Sequence, residues 1–415
     1  MNSKERILKT LNHEEPDRVP IFEMGVNNAA AEYFLGRKTF IYAFGISWKT
    51  GIDVLMRDKN EYKKLVENSF QDSLELNYKV GLDNVLIATQ GFSYPVEVGL
   101  NFTGLAEIYD VEIKKVSEDN YKIISKDPDA PGFWTTCRYV HGSETWEMIS
   151  DSIKENGREE FLRYLEYLEN KDLSKIPEQL EIGLEALKKA IDTNNKKYNL
   201  FVLGLSDIEY PTFLPFHDIF LEYMAIDEEL VKRYMSATNK GMLAMCKLQL
   251  EAGVDGILAS NDWCYGGGSM MSPTHFKEYL APHLKALVDL THSYNKKFIK
   301  HLDGNTYGIL DTIVNYCGID AYHSIEPPAG MDIERVKDLY GDKITVVGNI
   351  DCADILSNWT PDQIKEEVKR IIKAISPGGG HIFSSSNIVH NGVPLENVFA
   401  YFDAVKEYGT YPIDL

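Results

Sequence analysis

The sequence predicts an α/β protein, a (β/α)8 TIM barrel that spans residues 1–415 as a single domain and carries an inserted β-rich segment. Strand-like runs alternate with helical runs through the second half of the chain, which indicates parallel strands joined by crossover helices. About eight strand-like runs can be counted, the number that closes such a barrel. Polar side chains follow several of these runs, and active sites of barrels form at the carboxyl ends of the strands. An open, doubly wound sheet is the alternative fold.

The chain begins with a predicted helix at Ser3–Leu11, because Ile7, Leu8 and Leu11 fall on one helical face. Pro16 prevents this helix from continuing. The elements expected next are a strand at residues 18–23, mostly helical structure at 46–76 and a strand at 83–89.

The pattern changes in residues 94–150, which we interpret as a β-hairpin insertion or lid. Alternating β-prone runs (VEIKKV, YKIISK and WTTCRYV) are separated by turn-forming runs (SEDN and DPDAPG). This spacing is typical of antiparallel hairpins. A separate small β domain is the alternative interpretation.

The second half has a regular rhythm. Asp227 is a suitable N-cap for a long helix, and Gly253 is a suitable stop. The helices are expected at residues 151–195, 227–252, 272–294, 307–316, 332–339, 360–375 and 394–408. The strands are expected at 199–205 and 254–260, then around Phe298, Asp320, Ile344 and His381.

Composition excludes several classes of function. The net charge of −20 argues against nucleic acid and anionic membranes as partners. No apolar run is long enough to span a bilayer, and the charged N-terminus lacks the apolar core of a signal peptide. The five cysteines form no CxxC pair, so a cytoplasmic location is expected. No GxGxxG or P-loop motif follows a strand.

The run KFIKHLDGN carries the strongest chemical signal. His301 and Asp303 are two positions apart at the end of a strand, so both side chains face the same side. An imidazole and a carboxylate placed in this way suit zinc, with a third ligand from another strand and one open position. A hydrogen-bonded pair that orients a loop is the alternative interpretation.

Further acids follow other strands. Asp262, Glu326, Glu23 and Glu209 all lie at or just beyond predicted strand ends, and with Asp303 they make five carboxylates at one mouth. Such a group repels itself unless a cation is present or the pKa values rise. Each of these acids taken alone is better explained as a helix N-cap or loop anchor.

Aromatic residues occupy the same loops. Tyr210 and Phe213 follow one strand, and Trp263 and Tyr265 follow the next. They predict either an apolar pocket for a flat aromatic ligand or ordinary core packing.

Several segments resemble the uroporphyrinogen decarboxylase-like superfamily. They are SKERILKTLNHEEPDRVPI, NDWCYGGGSMMSPTHFKEYLAP, KHLDGN, IEPPAGMDIERVKDLYGDKITVVGNID and SSSNIVHNGVPLENVFAYFDAVKEYGTYP. The resemblance covers most of the chain and implies a TIM barrel. In the superfamily, decarboxylases carry an arginine-rich segment after the first strand, but the corresponding stretch here, FEMGVNNAAAEYF, has no arginine before Arg37.

The second branch of the superfamily comprises cobamide-dependent methyltransferases, which hold zinc through a His-x-Cys pair and a later cysteine. His301 matches the histidine, Asp303 stands in place of the first cysteine, and Asn387 falls near the second. Replacement of thiolates by oxygen ligands suits a metal that polarises an ether oxygen. The pattern is similar to the methyltransferases that begin corrinoid-dependent O-demethylation of methoxylated aromatics.

These observations lead to one hypothesis. A zinc-dependent methyltransferase would move a methyl group from a small methylated aromatic substrate to the Co(I) corrinoid (cobalamin) of a partner protein. The metal ligands would be His301, Asp303 and Glu326 or another mouth carboxylate, and Asp262 and Asn387 would orient substrate or ligands. The residues expected to contact substrate are Glu23, Tyr210, Phe213, Trp263, Tyr265 and Glu326.

Two other functions stay open. One is a metal-free decarboxylase or lyase of the uroporphyrinogen decarboxylase type, which would need a basic pocket. The other is a barrel that binds a corrinoid or another ligand without turnover. The sequence also leaves open whether the chain forms a homodimer.

Overall fold

The structure is a computed structural model, and it describes residues 1–39, 41, 44–87, 111–130, 132–141, 145–175, 178–211 and 214–415. The insertion predicted at residues 94–150 is thus described from residue 111 onward, and Phe213 lies outside the described residues.

The described strands are β1 (Asn84–Leu86), β2 (Val111–Lys115), β3 (Asn120–Ser125), β4 (Trp134–Val140), β5 (Thr145–Asp151), β6 (Phe201–Leu205), β7 (Gly256–Ser260), β8 (Cys264–Tyr265), β9 (Gly268–Ser269), β10 (Lys297–Leu302), β11 (Ala321–Ser324), β12 (Thr345–Val347) and β13 (His381–Ile382). Seven of them form one parallel sheet in the order β1-β6-β7-β10-β11-β12-β13.

The described α-helices are Ser3–Leu11, Asn28–Leu35, Phe44–Arg57, Lys59–Val80, Ser152–Asn156, Arg158–Asn170, Glu178–Lys197, His217–Ile226, Glu228–Ala252, Pro273–His275, Ala281–Ser293, Tyr307–Asp311, Ile333–Tyr340, Ile355–Asn358, Pro361–Ile375 and Leu395–Tyr408. The alternation of helices with parallel strands confirms the predicted α/β barrel fold. The helix predicted at residues 272–294 contains a π-helical turn at Phe276–Leu280.

The N-terminal segment closes the sheet. The Phe22 N–H donates to the Phe383 carbonyl (2.8 Å), and the Phe383 N–H donates to the Pro20 carbonyl (2.9 Å). On the other side of the segment, the Asp83 N–H donates to the Ile21 carbonyl (2.8 Å). The strand predicted at residues 18–23 therefore takes the eighth position in the barrel, but it pairs only through single β-bridges. A longer ladder does not form, because Pro20 has no N–H and the Ile21 N–H bonds to the Asp83 side chain (2.8 Å).

Apolar side chains fill the barrel. Ile7 and Leu11 of the first helix close its amino-terminal end, where the Lys4 N–H donates to the Asn199 carbonyl (3.0 Å) just before β6. The strand residues of this interior cluster are Phe22, Phe201, Leu203, Leu258, Ile299, Ala321, Val347 and Ile382. Since side chains alternate along a strand, the inward position of Ile299 also places His301 inward, above the apolar layer.

The insertion forms a four-stranded antiparallel sheet in the order β2-β3-β4-β5, as its sequence pattern predicted. It contacts the helix Phe44–Arg57 through an ion pair between Lys49 and Asp119 (2.9 Å) and a hydrogen bond from Tyr121 to Asp53 (3.1 Å). Its role as a lid stays a prediction.

The cysteines are all buried and free. No helix among the described residues is long and apolar enough to cross a bilayer. The cytoplasmic location and the homodimer stay predictions.

A buried ion-pair network holds the closing segment. Asp83 is fully buried and accepts hydrogen bonds from Arg6 (2.6 Å), Arg18 (2.8 Å) and the Ile21 N–H (2.8 Å). The network joins the first helix, the closing segment and β1, although these elements are far apart in sequence.

We expect Asp83→Ala to lower the free energy of unfolding by about 3–5 kcal/mol, because it takes their shared, fully buried partner from the buried Arg6 and the half-buried Arg18. Denaturant titration measures the loss. Asp17→Ala is the matched control: Asp17 also pairs with Arg6, but its side chain is 43% exposed, so the expected loss is about 1 kcal/mol or less. Equal losses in the two variants would contradict this account.

Candidate metal centre

Three side chains converge at the carboxyl ends of two neighbouring strands. His301 lies near the end of β10, Asp303 just beyond it, and Asp262 just beyond β7. β7 and β10 pair in parallel with Ser260 opposite His301, so the residues that follow both strands emerge side by side. One nitrogen or oxygen atom from each of Asp262, His301 and Asp303 lies within 4.8 Å of the others.

Burial shapes the charge of this group. It lowers the pKa of His301 to about 4, so the imidazole is neutral and can offer a lone pair. It raises the pKa of Asp303 to about 6, although Ser324 (3.0 Å) and Asn387 (2.5 Å) donate hydrogen bonds to that carboxylate. Burial also raises the pKa of Asp262. The charge of Lys300 lowers the pKa of both carboxyl groups, but burial outweighs this effect.

His323 is a site residue that the sequence reasoning missed. It lies opposite His301 in the register of β11 and β10, and the two Nδ1 atoms are 2.8 Å apart. Its Nε2 lies 2.9 Å from the Ser385 carbonyl and 3.1 Å from the Ser384 hydroxyl. The only signal in the sequence is a histidine within the strand-like run DAYHSI, and its partner is not visible without the strand register.

Asn387 and Glu326 have different partners. Asn387 donates a hydrogen bond to Asp303. Its role in orienting ligands or substrate stays a prediction. The Glu326 carboxylate accepts the Gly304 N–H (2.8 Å), and burial raises its pKa. The structure thus brings Asp262, rather than Glu326, into the group with His301 and Asp303. Metal ligation by Glu326 stays a prediction.

Glu23 lies in a separate network. It is 1% exposed and accepts hydrogen bonds from the Ser385 N–H (2.9 Å), the Ser385 hydroxyl (2.7 Å) and the Tyr401 hydroxyl (2.7 Å). These contacts describe an anchor between the closing segment and the C-terminal part of the barrel. Direct contact of Glu23 with substrate stays a prediction. Glu209 is half-buried, and its backbone N–H donates to Asn239 (3.0 Å).

Two of the predicted pocket aromatics are buried in packing. Tyr210 is 2% exposed, and its hydroxyl lies 3.8 Å from the Met224 sulfur. Trp263 is fully buried, with the Lys300 ammonium 4.0 Å from its ring centroid. Lys300 alternates with His301 and so points to the outer side of the barrel, where it pairs with Asp207 (2.5 Å).

Tyr265 is 58% exposed on the short hairpin of β8 and β9. Its carbonyl accepts the Asn305 N–H (2.9 Å), which ties the hairpin to the loop after β10. Gly304 is needed at this crossing, because a Cβ there would lie 2.6 Å from the Tyr265 nitrogen. Phe213 lies outside the described residues, so its place in a pocket stays a prediction.

A model of the uroporphyrinogen decarboxylase (URO-D) family matches residues 163–408, which include β7, β10, β11 and the whole group of three. The chain belongs to this family. The resemblance read from the sequence motifs is thereby confirmed. Among curated proteins, the chain is similar to uroporphyrinogen decarboxylases from Pseudoalteromonas atlantica and Psychromonas ingrahamii.

The first of these URO-D relatives is 26% identical over 167 residues, which cover 39% of this chain and 43% of the relative. The second is 27% identical over 188 residues, or 44% and 49% of the two chains. The chain thus spans less than half the length of either relative. Among solved structures, it is similar to a methyltransferase from Methanosarcina mazei, with a TM-score of 0.60 and 18% identity over 98% of this chain and 99% of that one. This likeness shows a shared fold.

The buried acid Glu23 predicts a pH dependence of stability. Burial raises its pKa to about 7, from an ordinary value of 4.5. The folded chain therefore holds the proton more tightly than the unfolded chain. The stability that this proton contributes is fully present below about pH 4.5 and is lost as the pH rises through about 7.

Glu23→Gln removes this titration. We expect the stability of the wild type to fall, relative to that of the variant, by up to about 3 kcal/mol between about pH 5 and about pH 8. Denaturant titrations across this range measure the difference. Glu14→Gln, at a site with a 58% exposed side chain, should leave the pH dependence unchanged. Parallel curves for the wild type and Glu23→Gln would refute the assignment.

Proposed function

We propose that this chain is a metal-dependent methyltransferase that moves a methyl group from a methylated substrate, a methoxyaromatic, to the Co(I) corrinoid of a partner protein. The observation that carries the proposal is the group of one imidazole nitrogen and two carboxylate oxygens at the barrel mouth. The fold that the chain shares over nearly its whole length with a methyltransferase supports the proposal.

The residues of the group fit zinc. Zinc takes nitrogen and oxygen ligands, and catalytic sites use three protein ligands with one position left for substrate. Burial raises the pKa of both half-buried carboxylates, and a bound cation would favour their ionised forms. Asp262, His301 and Asp303 would hold the ion, and bound zinc supplies Lewis acidity toward a substrate oxygen.

The surrounding residues orient these ligands. Ser324 and Asn387 donate to different oxygens of Asp303, so its carboxylate is fixed on both sides. The Asp303 N–H stabilises the Asp262 carboxylate. Loss of a group that holds a metal ligand in this way typically lowers metal affinity or activity by about 10–100-fold.

The proposed methyl transfer is a nucleophilic displacement at the methyl carbon. The bond between the methyl carbon and the ether oxygen breaks, and its electron pair stays on the oxygen, so a phenolate is released. The electron pair of the new bond comes from the Co(I) acceptor. Apolar side chains fill the barrel interior, so a corrinoid is too large to enter it and has to approach at the mouth. The partner protein would therefore dock there.

The metal-free decarboxylase is the second candidate, favoured by the names of the curated relatives. Such an enzyme needs cations for an acidic substrate. Arg37 instead pairs with Asp72 and Glu75 on the helix Lys59–Val80. Lys300 is paired with Asp207 outside the barrel. These contacts favour the methyltransferase.

Zinc affinity distinguishes the ligands. We expect Asp262→Ala, His301→Ala and Asp303→Ala each to weaken zinc binding by about 100-fold or more, because each removes a ligand atom rather than a group that only orients one. Competition with a chromophoric chelator measures the affinity. Glu326→Ala is the matched comparison: if Asp262 is the third ligand, this variant should bind zinc like the wild type. The opposite result for Asp262 and Glu326 would make Glu326 the third ligand.

Turnover tests the reaction itself. With a methoxyaromatic and free Co(I) cobalamin, the wild type should release the phenol. Chelation of the metal or Asp303→Ala should lower the rate by about 100-fold or more, since Lewis-acid stabilisation is worth several kcal/mol. Chromatography of the phenol measures the rate, and added zinc should restore the chelated wild type. Decarboxylation of uroporphyrinogen at an undiminished rate after chelation would instead establish the second candidate.

A further inference from the structure

A chain of hydrogen bonds runs from Glu23 to the candidate metal centre. Glu23 binds the N–H and hydroxyl of Ser385, the Ser385 carbonyl contacts His323 Nε2 (2.9 Å), and His323 Nδ1 contacts His301 Nδ1 (2.8 Å). These four residues are between 0% and 3% exposed. Water therefore does not compete with the contacts, and each donor needs an acceptor within the chain.

The direction of each bond follows from the Ser385 carbonyl, which can only accept. The Ser384 hydroxyl (3.1 Å) can accept as well as donate, so both contacts of His323 Nε2 are satisfied when this atom carries a hydrogen. A neutral imidazole has one N–H, so His323 Nδ1 is an acceptor. The hydrogen between the two Nδ1 atoms then belongs to His301. As a result, His301 Nε2 is left with its lone pair, and this atom lies 3.5 Å from the Asp303 carboxylate.

The reverse arrangement is unfavourable. If His301 donated from Nε2 to Asp303, His323 would have to donate from Nδ1. Its Nε2 lone pair could then accept from the Ser384 hydroxyl (3.1 Å) but would also face the closer Ser385 carbonyl (2.9 Å). That carbonyl cannot turn away freely, because the N–H and the hydroxyl of Ser385 are both bound to Glu23. Glu23 is itself fixed by the Tyr401 hydroxyl (2.7 Å). The anchor therefore selects one tautomer at each histidine.

We propose that His323 is a positioning residue: anchored on Ser385, it fixes His301 as the Nδ1–H tautomer and leaves His301 Nε2 free to bind the cation shared with Asp262 and Asp303. The cation in this statement rests on the proposed function. The tautomer does not, because it follows from hydrogen bonds within the chain. His323 acts through His301 and has no contact with substrate in this account. Groups that fix the tautomer of a histidine ligand also raise its basicity.

The experiment reads the tautomer in the full-length, metal-free protein by imidazole nitrogen NMR with ¹⁵N-labelled histidine, with His301→Gln used to assign the His301 signal. In the wild type, His301 should be protonated at Nδ1 and bare at Nε2. His323→Leu removes the acceptor, so the His301 hydrogen should move to Nε2, beside Asp303. His323→Asn keeps an acceptor oxygen at the position of Nδ1 and should restore the wild-type signature.

An Nε2–H tautomer or an imidazolium in the wild type would overturn the proposal, and so would an unchanged His301 signal in His323→Leu. If His323→Leu does not fold, as judged by circular dichroism, the wild-type and His323→Asn spectra decide: loss of the wild-type signature in a folded His323→Asn counts against the proposal.

Zinc affinity, measured by chelator competition in the same variants, separates this proposal from the proposed function. We expect about a 10–100-fold loss in His323→Leu and near-normal binding in His323→Asn. If the tautomer shifts as expected but no variant and no wild-type sample binds zinc, the proposed function fails and the positioning role stands. If zinc binds equally well to the wild type and to His323→Leu while the His301 signal is unchanged, the positioning role fails and the proposed function stands.

Discussion

Hydrogen-bonded register between three neighbouring strands is the constraint on which the site depends. It sets Ser260 of β7 beside His301 of β10, and His301 beside His323 of β11. Because side chains alternate along a strand, a slip of one residue in β10 would turn His301 outward and bring Lys300 into the mouth. The arrangement of His301 between the residues of β7 and those of β11 therefore forms only in this register. The apolar layer beneath favours this register, because the same slip would turn Ile299 out of the barrel interior.

Charge is distributed across the barrel wall by the same alternation. On the outer side, the Lys300 ammonium is bound to Asp207 and to the Asn261 carbonyl and covers the face of Trp263. On the inner side, burial raises the pKa values of the Asp262 and Asp303 carboxyl groups. Lys300, which precedes His301, cannot fully neutralise the Asp262 and Asp303 carboxylates, because it is already paired with Asp207. In the proposed function, a bound cation would stabilise the ionised forms of these half-buried acids, and the neutral imidazole would supply the nitrogen ligand.

The sequence was sufficient for the features that depend on periodicity. The helix Ser3–Leu11, the strand that carries His301, and the two-residue spacing that brings His301 and Asp303 to one side all follow from local pattern. Local pattern did not predict that Asp262, rather than Glu326, lies beside His301 and Asp303. Glu326 follows Ile325, which adopts a left-handed φ of 57° that β-branched residues rarely take, and the Glu326 carboxylate accepts the Gly304 N–H instead. The roles of His323 and Glu23 were equally inaccessible, because each depends on a partner that only the strand register or the closure of the barrel supplies.

Barrel closure joins the two ends of the chain. Glu23 and Ser385 are 362 positions apart, and the bridge between Ile21 and Phe383 spans the same separation. On a ribosome, the closing segment emerges long before its C-terminal partners, so no nascent chain that ends before Phe383 contains a closed barrel. Contacts of such long range make folding slow and leave strand edges exposed in the interim. The Arg6, Arg18 and Asp83 network uses only early residues, so it can hold the N-terminal segment in place while the rest of the protein is synthesised.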